Sequence, residues 1–163
     1  MQLTRFTDYS LRALVYLGAH GERLCTILEI ARAYGISESH LMKVVNQLAT
    51  SGYVRTLRGK GGGVRLARAP QLVNLGAVVR DMEDRLDPVE CIDNGSRECP
   101  LLPACTLRSV LALATRSFLD TLDRHTLQDL LDTPQASGYR SAVGVAARGA
   151  GPAEGFIGQT RRR

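Results

Sequence analysis

The chain has 163 residues and a mass of 17.7 kDa, so it is long enough for one compact domain with an appendage and too short for two full domains. Apolar residues make up 44% of it, an ordinary value for a globular protein with a core. Only 5% of the residues are aromatic and Trp is absent, which argues against a stacking platform for single-stranded nucleic acid. The net charge of +5 suggests a polyanionic partner if the charge is concentrated on one surface.

The charge is distributed unevenly along the chain. Residues 134–163 contain five Arg and one Glu, so most of the net basicity belongs to this stretch. Residues 53–68 contain five basic residues and no acidic one, whereas residues 81–98 contain seven acidic residues and two Arg. A basic segment followed by an acidic one predicts a side that faces a polyanion and a side that is turned away from it.

No early segment has the pattern of a signal peptide or a membrane span. The longest early apolar run, 13–19, has seven residues between Arg12 and His20, whereas a span needs about 20. We therefore expect a cytoplasmic protein that does not contact a membrane. Thiols stay reduced in that compartment, so the four Cys are interpreted as metal ligands, reactive thiols or core residues before disulfides.

The first third of the chain has the pattern of a helix-turn-helix. A first helix is predicted from about Asp8 to His20, with Thr7 as its N-cap and Gly21 at its end. A capping-box pattern then opens a second helix over about 26–35, which ends at a Gly. A tight turn leads directly to a third helix, and this arrangement is typical of DNA-binding proteins.

The third predicted helix, capped by Ser37 and ended by Gly52, has the pattern of a helix that reads bases. Apolar residues at 41, 44, 45 and 48 form one stripe, and the opposite face carries hydrogen-bonding groups with a single full charge. An ordinary solvated face, which is the alternative, would carry several Glu and Lys. We therefore predict that this face contacts base edges in the major groove. The predicted contacts are Ser37, Ser39, His40, Lys43, Asn46 and Gln47.

Two short alternating segments, 53–57 and 63–67, predict a β-hairpin with a basic, Gly-rich tip. The tip resembles the wing of a winged helix, in which Gly allows close approach to phosphate while Arg58 and Lys60 supply charge. A plain hairpin turn and a nucleotide-binding loop are the alternatives, but the Gly spacing matches neither dinucleotide nor Walker patterns. A helix-turn-helix followed by a basic hairpin is more specific than either part alone.

The second half of the chain predicts a short helix capped by Asn74, an acidic irregular segment and then a long helix. The long helix, from about Cys105 to Leu122, has an apolar stripe at 107, 111, 114, 118 and 122 with near-heptad spacing. This stripe predicts packing against a second subunit, with packing against its own domain as the alternative. A last short helix follows Thr126, and the Gly-rich and Arg-rich residues beyond Pro134 predict a disordered tail that adds non-specific DNA affinity.

The predicted architecture is therefore mainly α, a winged helix-turn-helix with a long dimerisation helix and a cysteine-bearing loop. We divide it into a DNA-binding domain (1–82), a cluster-binding loop (83–105), the dimerisation helix with the last helix (106–133), and a basic tail (134–163). No nucleophile–base pair and no flavin or dinucleotide loop stands out, so an enzyme is not expected.

Three of the four cysteines lie within fifteen residues, with the spacing C-x7-C-x5-C. Cys91, Cys99 and Cys105 can supply thiolates to a soft metal, and their wide gaps favour an iron–sulfur cluster over zinc, whose structural sites usually contain a tight C-x2–4-C pair. A zinc site and three unrelated thiols stay as alternatives. Cys25 lies far away and is interpreted as a small, partly buried residue.

Three thiolates leave one position of a metal centre unfilled. By chemistry alone His20, His40, His125 and the oxygen donor Asp8 are candidates, although a lone His is more often a surface or core residue.

Five segments of the chain together resemble a known family of regulators. They are MQLTRFTDYSLRAL (1–14), VVNQL (44–48), RGKGGGVRL (58–66), PAC (103–105) and SFLDTLD (117–123). The sequence is similar in them to nitric-oxide-sensing repressors of the Rrf-two winged-helix family, and the likeness covers about residues 1–133.

The resemblance implies a homodimer that binds a palindromic double-stranded operator and represses transcription while an iron–sulfur cluster, 4Fe-4S in preference to 2Fe-2S, is intact. It assigns Cys91, Cys99 and Cys105 as ligands and Asp8, in the FTDY motif, as a ligand from the partner subunit. Cluster-assembly regulators of the family use a His three residues after the last Cys, where this chain has Arg108.

The first cysteine gap of seven residues departs from the enterobacterial nitric-oxide sensors and resembles iron-responsive members of the family. The resemblance as a whole makes nitric oxide the first expected signal, and this gap keeps iron as the alternative. A redox or electron-transfer protein built around the cluster is a less favoured interpretation.

Overall fold

The computed structural model describes residues 2–89 and 105–132. This part of the chain is mainly helical with one two-stranded antiparallel sheet, which confirms the predicted fold class. Its elements in chain order are α1 (Arg5–His20), α2 (Ile27–Tyr34), α3 (Glu38–Thr50), β1 (Val54–Leu57), β2 (Gly63–Leu66), a 3-10 helix (Pro70–Leu72), α4 (Leu75–Met82), α5 (Thr106–Asp123) and α6 (Leu127–Leu131).

The predicted caps of α2 and α3 are confirmed. The Thr26 hydroxyl accepts a hydrogen bond from the N–H of Glu29 at 3.2 Å, and the Glu29 carboxylate accepts from the N–H of Thr26 at 2.6 Å. Gly35 then ends α2 in the left-handed region, with φ of 62°. The hydroxyl of Ser37 accepts from the N–H of His40 at 3.4 Å and starts α3. These bonds satisfy main-chain donors that a helix start leaves free.

The predicted start of α1 is wrong by one turn. The helix begins at Arg5, and its N-cap is Thr4, whose hydroxyl accepts from the N–H of Thr7 at 3.3 Å. Thr7 lies inside the first turn, is fully buried and donates to the carbonyl of Met82 at 3.1 Å. Two Thr three residues apart offer two similar caps, and the long-range contact with the end of α4 decides between them.

The hairpin formed by β1 and β2 is the predicted wing. Val54 pairs with Leu66 and Arg55 pairs with Arg65 in an antiparallel register. Cys25 adds a bridge on the open side of β2, because its N–H and carbonyl bond with the main chain of Val64 at 2.9 and 2.8 Å. The tip turns through Gly59 and Gly61, with φ of 97° and 80°, a region that side-chain-bearing residues rarely adopt.

One buried core connects the helix-turn-helix with the last helix. The apolar faces of α1, α3 and α4 meet there, and Leu127 and Leu131 of α6 pack among them with exposures of 1% and 6%. Gly18 of α1 allows this close approach, since a Cβ at Gly18 would lie 2.7 Å from a methyl of Leu131. The core therefore holds α3 firmly from behind and leaves its opposite face to solvent.

The C-terminal end of α5 is fixed to α4. Asp123 receives two hydrogen bonds of 2.6 Å from the guanidinium of Arg80, and its carbonyl accepts from the side chain of Asn74 at 2.7 Å. The N–H of Leu127 donates to the carbonyl of Val73 at 2.8 Å. Among the described helices, none combines the length and apolar content that crossing a membrane would require.

Candidate nucleic-acid interface and metal centre

The structure brings the predicted base-contacting residues onto one exposed face. Leu41, Val44, Val45 and Leu48 are at most 1% exposed and hold α3 against the core. All six predicted contacts are exposed: Ser37, Ser39, His40, Lys43, Asn46 and Gln47. The hydroxyl of Ser37 is engaged in capping α3, so it contributes more to the helix start than to a partner. The exposed side chains of this face carry hydrogen-bond donors and acceptors of the kinds that contact base edges.

A residue that sequence reasoning missed lies beside this face. Arg5, at the start of α1, lines a mostly apolar cavity of about 240 Å³ together with Phe6, Tyr9, His40 and Lys43. Its guanidinium adds a second full charge next to Lys43, which suits contact with a phosphate. No local pattern in the sequence indicates this proximity, because it depends on how α1 packs against α3.

The two basic residues of the wing tip are also exposed. Arg58 and Lys60 stand between Leu57 and Gly63, the last pair of the register. A Cβ at Gly62 would lie 2.3 Å from the carbonyl oxygen of Leu57, so this position requires Gly for the tip to close. The wing thus presents charge on a compact turn that can enter a groove.

Of the four predicted metal ligands, the structure describes Asp8 and Cys105. Cys91 and Cys99 lie outside the described residues. Cys105 is half-buried immediately before α5, and its thiol does not cap that helix. No group of three or more His, Cys, Asp or Glu side chains suited to a metal forms within the described ranges. A metal bound by Cys105 would therefore require further ligands from outside the described ranges or from a second copy of the chain.

Asp8 lies in the first turn of α1 with 43% of its side chain exposed. Its carboxylate accepts a hydrogen bond from Nε of Arg12 at 2.9 Å, and this contact raises the pKa of the Arg12 guanidinium above its ordinary value. A metal bound by Asp8 would compete with Arg12 for the same carboxylate.

The three candidate His residues and Cys25 are not placed to bind a metal within the described residues. The ring of His20 stacks on Tyr16 and its Nδ1 donates to the carbonyl of Tyr16 at 2.8 Å. His125 lies 3.8 Å from the carboxylate of Asp129, and His40 stands on the exposed face of α3. Cys25 is fully buried rather than partly buried, and burial raises the pKa of its thiol to about 11. It therefore stays protonated and is a poor metal ligand.

An apolar face of α5 is exposed in the single chain. Leu107, Val110 and Leu113 have exposures of 64%, 56% and 63%. The predicted stripe shares only Leu107 with this set, because Leu111, Phe118 and Leu122 are partly covered within the chain. Large apolar side chains at this helical spacing and exposure are typical of a contact with another helix.

Comparisons with known proteins agree with this arrangement. The Rrf2 family, described as "Iron-dependent Transcriptional regulator", matches residues 3–133. The HTH-type transcriptional regulator NsrR of Bacillus licheniformis is 47% identical over 132 residues, which cover 80% of this chain and 92% of that protein. NsrR of Geobacillus kaustophilus is 49% identical over 133 residues, covering 81% of this chain and 90% of the relative.

Two solved structures have the same fold. CymR, the global cysteine regulator of B. subtilis, superposes with a TM-score of 0.64 at 25% identity and covers 80% of this chain and 95% of its own. IscR of T. potens gives a TM-score of 0.64 at 25% identity, with 85% of this chain and 96% of that one covered. The family match over residues 3–133 spans every helix and strand from α1 to α6.

Proposed function

We propose, because the chain belongs to the Rrf2 family of iron-dependent transcriptional regulators, that it is a cytoplasmic homodimeric repressor whose iron–sulfur cluster senses nitric oxide. The polar exposed face of α3, held by a buried stripe on its other side, is the observation that carries the DNA-binding half of this proposal. The sensing half rests on the cysteine spacing and on the similarity to NsrR proteins.

In the proposed complex, α3 of each subunit enters a major groove of a palindromic operator. The two half-sites would lie about one helical turn apart, since a two-fold symmetric dimer presents its reading helices on one side of the duplex. Lys43, Asn46 and Gln47 would contact base edges. Arg58, Lys60 and Arg5 would bind phosphates, which adds affinity without sequence preference.

The donors that the chain offers fit an iron–sulfur cluster. Cysteine thiolates are the ordinary ligands of such clusters, and the half-buried Cys105 would join Cys91 and Cys99. Asp8 lies on an exposed turn, and no metal site forms around it among the described residues of its own chain. We therefore assign Asp8 to the cluster of the partner subunit. Three thiolates and one carboxylate make up the four protein ligands that either a 4Fe-4S or a 2Fe-2S cluster takes, and we favour 4Fe-4S with 2Fe-2S as the alternative.

The bound cluster supplies irons that react with nitric oxide, and a carboxylate ligand exchanges more readily than a fourth thiolate. Release of Asp8 would return it to Arg12, and the cysteine-bearing segment that follows α4 would lose its metal anchor. A ligand shifts a conformational equilibrium only through its different affinity for the two states. Changing an operator from mostly bound to mostly free requires a difference of about 3 to 5 kcal/mol.

Iron is the second candidate signal, because the seven-residue gap between Cys91 and Cys99 resembles iron-responsive regulators. In that case the operator would be released when iron is withdrawn rather than when nitric oxide is added. A redox protein without DNA binding is disfavoured by the exposed polar face of α3.

The test follows the cluster and the DNA together. Protein purified without oxygen is assayed for iron and sulfide, and its operator is selected from a random-sequence duplex library. Nitric oxide or an iron chelator is then added while visible absorbance and fluorescence anisotropy of the duplex are recorded. Loss of the cluster absorbance and of the duplex anisotropy on addition of nitric oxide supports the proposal. Loss of both on addition of the chelator alone supports iron sensing. A colourless protein that contains zinc contradicts both functions. Cys99→Ala should remove the response.

A further inference from the structure

Tyr53 joins the end of α3 to the end of the wing through its main chain. It follows directly after the turn that ends α3 and is 3% exposed. Its N–H donates to the carbonyl of Leu48 at 2.9 Å, and its carbonyl accepts from the N–H of Ala67 at 2.9 Å. The last turn of α3 and the strand that leaves the wing therefore share one buried residue.

The ring of Tyr53 contacts Arg68, whose guanidinium caps the C-terminal end of α3. The guanidinium of Arg68 lies over this ring, with Cζ 4.8 Å from the centroid. Nη2 of Arg68 donates to the carbonyls of Gly52 at 2.8 Å and Ser51 at 3.2 Å. These carbonyls stand at the C-terminal end of α3, where the helix dipole is negative and a cation is favourable. Arg68 can keep this position because Tyr53 supports it.

The hydroxyl of Tyr53 connects the same residue to α4. It donates to Oδ2 of Asp81 at 2.6 Å, and a bond from a buried hydroxyl to a carboxylate is short and strong. Asp81 is the last but one residue of α4, and Cys91 follows it ten positions later in the sequence. One side chain thus ties the base-reading helix to the helix that leads into the cysteine-bearing segment.

We propose that Tyr53 and Asp81 are positioning residues, and that their hydrogen bond is the contact through which movement at the end of α4 changes the angle at which α3 meets DNA. The proposal rests on the proposed function, since it requires α3 to read the operator and the cluster to act on the segment after α4. Neither residue touches DNA or metal in this account. Both act through Arg68 and the C-terminal end of α3.

Tyr53→Phe is the sharpest variant, because it keeps the ring, the Arg68 contact and both main-chain bonds and removes only the hydroxyl. Asp81→Ala removes the other end of the bond. Asp84→Asn is the matched control, since Asp84 is an exposed carboxylate that makes no hydrogen bond to another element within the described residues. The measured quantity is the ratio of operator affinity between cluster-loaded and cluster-free dimer. Affinity for random-sequence duplex and the thermal midpoint of the cluster-free protein are measured alongside.

Each single variant should lower this ratio by about three- to tenfold, the size typical of substitutions that alter coupling between sites. The double variant should lower it no further than either single variant, because both remove the same contact. Affinity for random-sequence duplex should stay within about twofold of the parent protein, since non-specific binding depends on charge rather than on the angle of α3.

The assignment would be overturned, with the sensing function left intact, by variants whose affinity ratio equals that of the parent protein or by variants that lose affinity equally in both cluster states. A parent protein whose operator affinity is the same with and without the cluster would overturn the sensing function and this coupling together. Additive effects in the double variant would show that the two residues act separately, which also contradicts the proposal.

Discussion

The carboxylate of Glu83 accepts a hydrogen bond from the main-chain N–H of Thr4 at 3.1 Å, across 79 positions of sequence. The same carboxylate accepts from the Thr4 hydroxyl at 3.0 Å, and it shares the single hydroxyl proton of the buried Thr7 with the carbonyl of Met82. Glu83 follows α4 directly, so these hydrogen bonds join the end of α4 to the first turn of α1. Asp8 lies in that same turn. A negative charge at the N-terminal end of a helix is favourable because free N–H groups and the dipole meet there.

Replacing Glu83 by Gln should destabilise the cluster-free protein by about 1 to 2 kcal/mol. The side-chain amide has only one acceptor oxygen, and its NH2 group cannot accept hydrogen bonds from Thr4 and Thr7 as the carboxylate does. Urea unfolding followed by circular dichroism measures this change. Asp84→Asn removes a carboxylate charge one residue later. In the described part of the chain Asp84 makes no hydrogen bond to α1, so this substitution should change stability by less than about 0.5 kcal/mol. Equal effects of the two substitutions would contradict the role of Glu83.

Replacing Lys60 by Ala should weaken binding to operator and to random-sequence duplex by similar factors. It should also lower the slope of log affinity against log salt concentration by about one unit, because one phosphate contact releases about one counterion. Arg124→Ala removes a charge at the end of α5 and serves as the control. A slope that Lys60→Ala leaves unchanged would place the wing tip away from DNA.

Replacing Leu113 by Glu should convert the proposed dimer to a monomer, since it places a charge at the C-terminal edge of the exposed apolar face of α5. Sedimentation velocity of the cluster-free protein at micromolar concentration measures the change. Leu72→Glu is the control, because Leu72 has a similar exposure of 69% and lies on the 3-10 helix instead. If Leu113→Glu stays dimeric while Leu72→Glu dissociates, the subunit contact lies elsewhere.

Cys25 should differ from the other cysteines in its chemistry. Its buried thiol has a pKa raised to about 11, so it stays protonated near neutral pH and out of reach of reagents. Iodoacetamide applied to the folded, cluster-free protein at pH 7.5 should modify Cys105 and leave Cys25 intact, as read by peptide mass spectrometry. Cys25→Ala should retain iron and sulfide, and loss of both would make Cys25 a ligand.

The same thiol predicts a pH dependence of stability. Cys25 has a higher pKa in the folded chain than its ordinary value of 9.0, so the unfolded chain loses the proton first. Its contribution is complete below pH 9 and declines as the pH rises from about 9 to about 11. The free energy of unfolding should therefore fall by about 1 to 3 kcal/mol more in the parent protein than in Cys25→Ala over this range. Parallel pH profiles would contradict it.

Local patterns in the sequence determined most of the helix-turn-helix and the wing. The capping box at Thr26, the N-cap at Ser37 and the apolar stripe of α3 each depend on residues within one or two turns of one another. The Gly-rich tip between β1 and β2 is equally local. Such signals are readable because hydrogen bonds and side-chain periodicity within one element do not depend on the rest of the fold.

The cysteine set and the polar face of α3 could likewise be named from the sequence, since spacing and residue chemistry carry both. The contacts that join distant elements could not be predicted from the sequence. Thr4 rather than Thr7 caps α1 because Thr7 is bound by Met82, and Arg5 stands beside Lys43 only because α1 packs on α3. Which apolar residues of α5 stay exposed depends on how Arg80 and Asn74 fix the far end of that helix.

Tyr53 shows the same division most clearly. The sequence presents it as the first residue of an alternating strand, and its ring and main chain fit that description. Only the tertiary structure shows that the hydroxyl of Tyr53 donates to Asp81 and that its ring contacts Arg68. These partners lie 28 and 15 positions away in the sequence and reach Tyr53 through the packing of α4 and the wing. Local preference decides which element each segment forms, whereas long-range contacts decide which elements are joined to one another.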